Sequence, residues 1–184
     1  YTAKDAFSSI AMGLGNVFIG FVSKLIVFAA LYYIYENFRF FTIPVAWWSF
    51  ILLFFLDDLS YYWFHRISHE NRLFWASHVV HHSSKHYNLS TALRQTWTGG
   101  FYSFIFIIWD RMFGTFQPEL EEEKVNYGLV VNINSYNPVI IAFNEWGAML
   151  NDAFSGNKSL ANRIKYFYKP PGWKKGDEVL TFRY

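Results

Sequence analysis

Six histidines stand within 22 positions: His65, His69, His78, His81, His82 and His86. The first two lie four apart in HRISH, and the others fill HVVHHSSKH. His78 and His82 are four apart, as are His82 and His86, and His81 follows His78 by three. On helical backbone such residues share one side. Neutral imidazole is the commonest metal ligand and suits iron, copper, zinc or nickel, so the spacing points to metal binding. A proton relay or pH sensor is the alternative, but neither needs the HxxxH and HxxHH spacings. Asp58 precedes His65 by seven positions, two helical turns back on the same face, where a carboxylate can accept a liganding histidine's second ring N–H. Asp57 falls on a neighbouring face and reads as a helix-end or ion-pair acid. Asn88, just behind His86, reads equally as a cap and as support for the ligands, and the same holds for Arg94-Gln95.

The donor set narrows the metal. HExxH is absent, because His69-Glu70 is followed by Asn71, Arg72 and Leu73, which argues against a zinc hydrolase. Structural zinc takes four ligands, and haem takes one or two axial histidines. Six imidazoles suit two non-haem irons better, with a single iron or zinc on a reduced site as the alternative. The chain has no cysteine, which removes thiolate, iron–sulfur and disulfide chemistry together. No glycine-rich phosphate loop is present, so electrons would come from a separate donor.

The elements that must position these side chains are apolar. The 184 residues suit one domain, 53% hydrophobic, 23% aromatic and only 16% charged, with a net charge of +2. That composition excludes disorder and gives no basis for nucleic-acid binding. Residues 10–35 carry one charge, Lys24, and would span about 39 Å as a helix, more than a hydrocarbon core of about 30 Å. Residues 43–64 form a second apolar segment of about 33 Å, with Pro44 in its first turn, tryptophans at one end and Asp57 and Asp58 near the other. Both are expected to be transmembrane helices. Ala11 and Gly15 form a small-xxx-small pair suited to close packing. Basic residues after the second segment (Arg66, Arg72, Lys85, Arg94) outnumber the one between the segments, Arg39, which puts the histidine region on the cytoplasmic side. The expected fold is therefore all-α, an integral-membrane helical bundle with a cytoplasmic-side histidine-box metal domain, forming a single domain over 1–184. A third apolar stretch, 98–109, covers only about 18 Å and is too short to cross. Gly114 suits a tight turn, Pro138 a helix start running towards Met149, and Pro170-Pro171-Gly172 a helix stop. The basic and aromatic tail from Asn151 suits contact with anionic lipid.

Beyond these readings, the chain resembles the fatty acid hydroxylase/sterol desaturase superfamily of membrane di-iron oxygenases. The resemblance is carried by DDLSYYWFHRISHENRLFWASHVVHHSSKHYNLSTALRQTW, IIWDRMFGTFQPE and YGLVVNINSYNPVIIAFNEW. The tail KYFYKPPGW is most similar to the alkylglycerol monooxygenase and bacterial sterol-desaturase-like branch. The resemblance implies O2 activation at two irons, an external electron donor, and hydroxylation or desaturation of a fatty acyl, alkylglycerol or sterol-like lipid. It implies that His65, His69, His78, His81 and His82 form two histidine boxes, with His86 an additional histidine. A third box is missing. Eleven residues separate Trp97 from Trp109 where the family has a far longer stretch, which implies an excision or chain gap near 104–108. A truncated, non-catalytic membrane protein with a partial histidine site is the reading that competes with an active oxygenase.

Overall fold

The computed structural model describes residues 2–86, 88–98, 106–122 and 126–174, and every regular element among them is helical. Helix α1 runs Ala3–Phe38, longer at both ends than the apolar segment alone predicts. Thr2 is extended and Asp5 sits in the first turn, where a carboxylate complements the helix dipole. Its first turns are built for contact: Asp5, Ala6, Ser8, Ser9 and Met12 are buried. From residue 21 to residue 38 every residue is exposed, although Phe21, Leu25, Phe28 and Leu31 are among them. A helix that is apolar all round belongs inside a large core or in lipid. Among the described residues, α1 alone is long and apolar enough to cross a membrane.

Helix α2 spans Trp47–Glu70, so it starts four residues later and ends six later than the apolar segment. At its start, Ser49 Oγ receives the Ala46 N–H at 3.0 Å and donates to the Ala46 carbonyl; Pro44 stays outside the helix. The end runs on through HRISHE, so the first histidine pair is helical. Asp58 is buried while Asp57 is exposed, the two-face split expected of adjacent helical positions. The aspartates and the polar last turns keep α2 below the hydropathy of α1, and the structure therefore carries one span of the expected two by that measure.

Asn71 closes α2 and opens α3 (Arg72–His82) in a single residue. Its N–H donates to the Ile67 carbonyl, and its Oδ1 accepts from the Leu73 N–H at 3.1 Å. A 3-10 turn follows at Leu89–Leu93, then α4 (Ile108–Met112), α5 (Pro138–Phe154) and α6 (Leu160–Tyr168). Pro138 occupies the first turn of α5 and Asn137 caps it, as expected. Helix α6 stops at Tyr168, ahead of Pro170 and a turn at Gly172 with φ 82°. The expected excision point lies partly outside the described residues; from Phe106 onward the chain is back against α2, its ring stacked on Phe55 and edge-on to Phe54.

The core forms where α1, α3 and α5 meet: Met12, Val80, Ile141 and Ala142, flanked by Trp97 and Ile133. Arg72 locks α3 to α5 through Glu145 at 3.0 Å and Asp152 at 2.8 Å. The small residues of α1 serve a closer purpose than helix pairing. A Cβ on Gly13 would meet the Leu93 carbonyl at 2.9 Å, and one on Gly15 would sit inside the Trp97 indole. That indole donates to the Met12 carbonyl at 3.0 Å, and Asn16 donates to the Thr96 carbonyl. The first four turns of α1 thus grip residues 93–97.

Gly15→Val is expected to cost about 1–3 kcal/mol through overpacking. Gly20→Ala, with nothing within 4 Å of the added Cβ, should leave the melting midpoint in detergent unchanged or slightly raised. Equal losses from both would contradict the close approach at Trp97.

Candidate metal centre

The one-residue joint at Asn71 folds α3 back beside α2, so two i,i+4 histidine pairs face one another. His65 and His69 project from α2, and His78 and His82 from α3. The Nε2 atoms of His65 and His69 are 3.1 Å apart, and those of His78 and His82 are 3.2 Å apart. Across the hairpin, ring centroids lie 4.6 Å apart for His65–His78 and 4.8 Å for His69–His82. Four ring nitrogens, one from each histidine, all lie within 4.8 Å of one another. Two nitrogens bound at about 2.1 Å to one ion cannot exceed about 4.2 Å, so a small contraction converts the cluster into a four-nitrogen site. The residues present fit a single metal ion.

Electrostatics favour the same conclusion. Burial pushes His78 down to about 2, helped by the neighbouring imidazoles of His65, His82, His69 and His81. Burial likewise lowers His69 to about 3 and His82 to about 4, again with help from adjacent histidines. His65 is lowered by burial and by His81, while Asp110 pulls it back up. The four rings are therefore neutral and their lone pairs are available. Within each pair the facing Nε2 atoms are at hydrogen-bond distance, with donor and acceptor set by tautomer, and a divalent ion would take up both lone pairs in place of that shared proton.

The other expected site residues occupy different positions. His81 lies beside the cluster, 5.4 Å from His82 by centroid, and its ring N–H is held by the Arg94 backbone carbonyl, which raises its proton affinity against the burial that lowers it. His86 contributes its backbone: its carbonyl accepts from Ser84 Oγ and from Thr91 Oγ1 at 2.7 Å, and its N–H donates to Ser84 Oγ. Asn88 caps the 3-10 turn, its Oδ1 accepting from the Ser90 N–H at 2.9 Å. Asp58 Oδ2 accepts the Trp109 indole N–H at 2.6 Å, which docks α4 on α2. Around it, Thr115 Oγ1 bonds Asp110 Oδ1 and the Tyr62 hydroxyl, each at 3.0 Å. Phe113 stacks on the Tyr62 ring. The WDRMFGTF motif is therefore a structural bridge along α2 that also brings the Asp110 charge towards His65, with Gly114 at φ 70° making the turn.

Trp75 and Asp5 escape a search for ligand types, and Arg94, which reads equally as cap and support, takes a buried place. Trp75 stacks on His82 at 5.6 Å and lies 5.4 Å from His69, walling one side of the cluster. It precedes His78 by three and His82 by seven, so helical spacing would have found it. Arg94 is buried rather than on the surface, and it pairs with Asp5 at 2.6 Å. No local pattern links positions 5 and 94.

Residues 50–103 match the fatty acid hydroxylase family model, a segment that contains both histidine pairs. The chain matches the fatty acid hydroxylase/sterol desaturase superfamily. It is 30% identical to alkylglycerol monooxygenase of Danio rerio and 29% identical to that of Homo sapiens, in each case over 96% of this chain and 54% of the relative. The Caenorhabditis elegans alkylglycerol monooxygenase is 25% identical over 99% of this chain and 51% of its own length. No solved structure matches. The chain thus spans about half the length of the curated relatives it matches. The Danio rerio alignment runs over 247 positions but uses 96% of 184 residues, so about seventy positions of the relative, inside the aligned region, have no counterpart here. The superfamily comprises O2-dependent oxidoreductases that modify lipids, and the histidine cluster is consistent with a partial histidine box.

A pH dependence follows from the lowered histidines. Unfolded histidine titrates near about 6.5. Below that pH the unfolded chain takes up protons that the folded chain does not, so acid favours unfolding. The metal-free protein should melt at a constant midpoint above about pH 6.5, then progressively lower as the pH falls towards 4, where His82 begins to titrate. His78→Gln should flatten that slope. A midpoint that is level, or that rises, across this range would contradict the burial of neutral imidazoles.

Proposed function

We propose that this chain is a membrane-bound non-haem iron oxidoreductase scaffold that uses O2 to hydroxylate or desaturate a lipid, with His65, His69, His78 and His82 as the ligands of one iron. The observation carrying this reading is the convergence of four neutral imidazoles from two adjacent helices within 4.8 Å, in a segment matching the fatty acid hydroxylase family. The relatives named as alkylglycerol monooxygenases support an alkylglycerol or related lipid as substrate. Bound iron would supply O2 activation, which nitrogen ligands of this kind suit. Hydroxylation puts one oxygen atom of O2 into a C–H bond and releases the other as water. It therefore consumes two electrons and two protons from outside, which calls for a separate donor.

The chain's own residues would do the remaining work. The exposed apolar stretches of α1 and α2 would sit in the bilayer, with the histidine hairpin on the cytoplasmic side in keeping with Arg66, Arg72, Lys85 and Arg94. Phe54, Phe55 and Leu59 would guide the hydrocarbon body along an apolar path. Asp58 would support the centre by fixing α4, and through it Asp110, against α2. Asn88 would act by shaping the loop behind His86. A two-iron centre is the second reading, favoured by the nearness of His81 to the cluster. Further donors for that ion would come from side chains outside the four-histidine cluster.

Anaerobic titration of the metal-free, detergent-purified chain with iron(II) separates these readings. One iron per chain is expected, and each of His65→Gln, His69→Gln, His78→Gln and His82→Gln should lower the affinity at least tenfold while His86→Gln leaves it unchanged. Two irons per chain would select the second reading. No binding, or binding indifferent to all four substitutions, would sink the metal assignment. With iron, a chemical or protein reductant and an alkylglycerol, O2-dependent product would establish the activity; an iron-loaded chain that turns over no lipid would make it a non-catalytic metal protein.

A further inference from the structure

Among the described residues, Asp5 and Arg94 form an ion pair in which both side chains are almost wholly buried, 8% and 3% exposed. Its bonds converge on the chain directly behind the last histidine of the cluster. Arg94 Nε donates to Ser83 Oγ at 2.9 Å, and Ser84 Oγ donates to Asp5 Oδ2 at 2.9 Å. Ser83 and Ser84 are the first two residues after His82, and both are buried. Arg94 Nη1 also reaches Ser9 Oγ at 3.4 Å. The carbonyl of the same arginine holds the His81 ring.

We propose that Asp5 and Arg94 are a positioning pair: from the first turn of α1 they clamp the C-terminal end of α3 and so set His78 and His82 against His65 and His69. This rests on the reading that the four histidines hold a metal. A buried ion pair is weak evidence for stability, because apolar replacement of both partners is often neutral or stabilising, whereas removing one partner strands a buried charge. What an apolar pair cannot reproduce is the set of directed bonds to Ser83 and Ser84. Those bonds fix the chain direction at the helix end, and metal geometry is sensitive to displacements of a few tenths of an ångström. Apolar replacement therefore separates the two roles: stability survives it and site geometry does not.

Cobalt(II) is the probe, titrated into the metal-free full chain in detergent. Its visible absorption bands report ligand geometry, and a thermal melt of the same samples reports folding. His82→Gln should abolish the bands and so locate the ion at the cluster. The double variant Asp5→Leu/Arg94→Met should melt within a few degrees of the parent, with cobalt affinity at least tenfold weaker and its bands displaced. Ser84→Ala, which removes the bond to Asp5 together with those to the His86 backbone, and no charge, should weaken affinity in the same direction by a smaller factor. Parent-like affinity and bands in a folded double variant overturn the positioning role. If the double variant does not fold, Ser84→Ala decides: unchanged affinity and bands overturn the proposal, and a weaker, shifted site supports it. A parent chain that binds no cobalt overturns the metal reading itself, and the pair's role with it.

Discussion

Four imidazoles sharing one small space is the constraint on which the rest of the structure depends. Neutral rings whose nitrogens lie 3.1–3.2 Å apart bond one another within each helical pair rather than across the hairpin, and protonating any of them would add charge repulsion to the cost of burial. Something else must hold the rings together until an ion binds. Three supports serve that purpose. The Asn71 joint sets the hairpin, Arg72 bolts α3 to α5 through two carboxylates, and the buried polar cluster of Asp5, Ser83, Ser84 and Arg94 fixes the far end of α3. Helix α3 is thus held at both ends by charge, and in the middle by Val80 in the core.

Helix α1 joins two environments. Its first four turns are built largely from small and polar residues that admit Leu93, Trp97 and the Thr96 carbonyl, while from residue 21 it is exposed and, apart from Ser23, Lys24, Glu36 and Asn37, apolar. The change from contact surface to lipid-type surface occurs within one uninterrupted helix. A rigid rod with a rise of about 1.5 Å per residue therefore fixes the height of residues 93–97 relative to the apolar stretch. Because Arg94 belongs to that segment, the register of the apolar helix and the placement of His81 are mechanically linked.

Much of the histidine cluster was legible in the sequence because its members are local. His65, His69, His78 and His82 fall within eighteen positions, and the four-residue spacing needs only helical backbone to bring each pair onto one face. The all-α class, the helix from Pro138 and the stop at Pro170 follow from equally local rules. What sequence spacing could not provide was the division of labour among the six histidines. His81 and His86 share the spacing of the ligands, yet α3 ends at His82, so the helical periodicity that would align His86 with His82 stops short of it. Asp58 is buried, and its described bond to Trp109 depends on a chain return fifty-one positions later. The Asp5–Arg94 pair spans eighty-nine positions and has no periodic signature. Helix α2 runs past the apolar segment because its last turns, through HRISHE, are polar yet helical.

Locality also explains how a histidine site can survive in a chain with about seventy fewer positions than the aligned stretch of a relative. Among the described residues, the joint at Asn71 and the two end supports of α3 use residues 5–9, 71–94 and 145–152. A metal site assembled from distant segments would lose its ligands with the intervening chain. This one depends on a one-residue turn between two helices, and on ion pairs to elements before Trp97 and after Trp109. The local hairpin therefore sets the minimum metal chemistry available to this chain, and anything beyond one ion has to be supplied by donors that lie outside it.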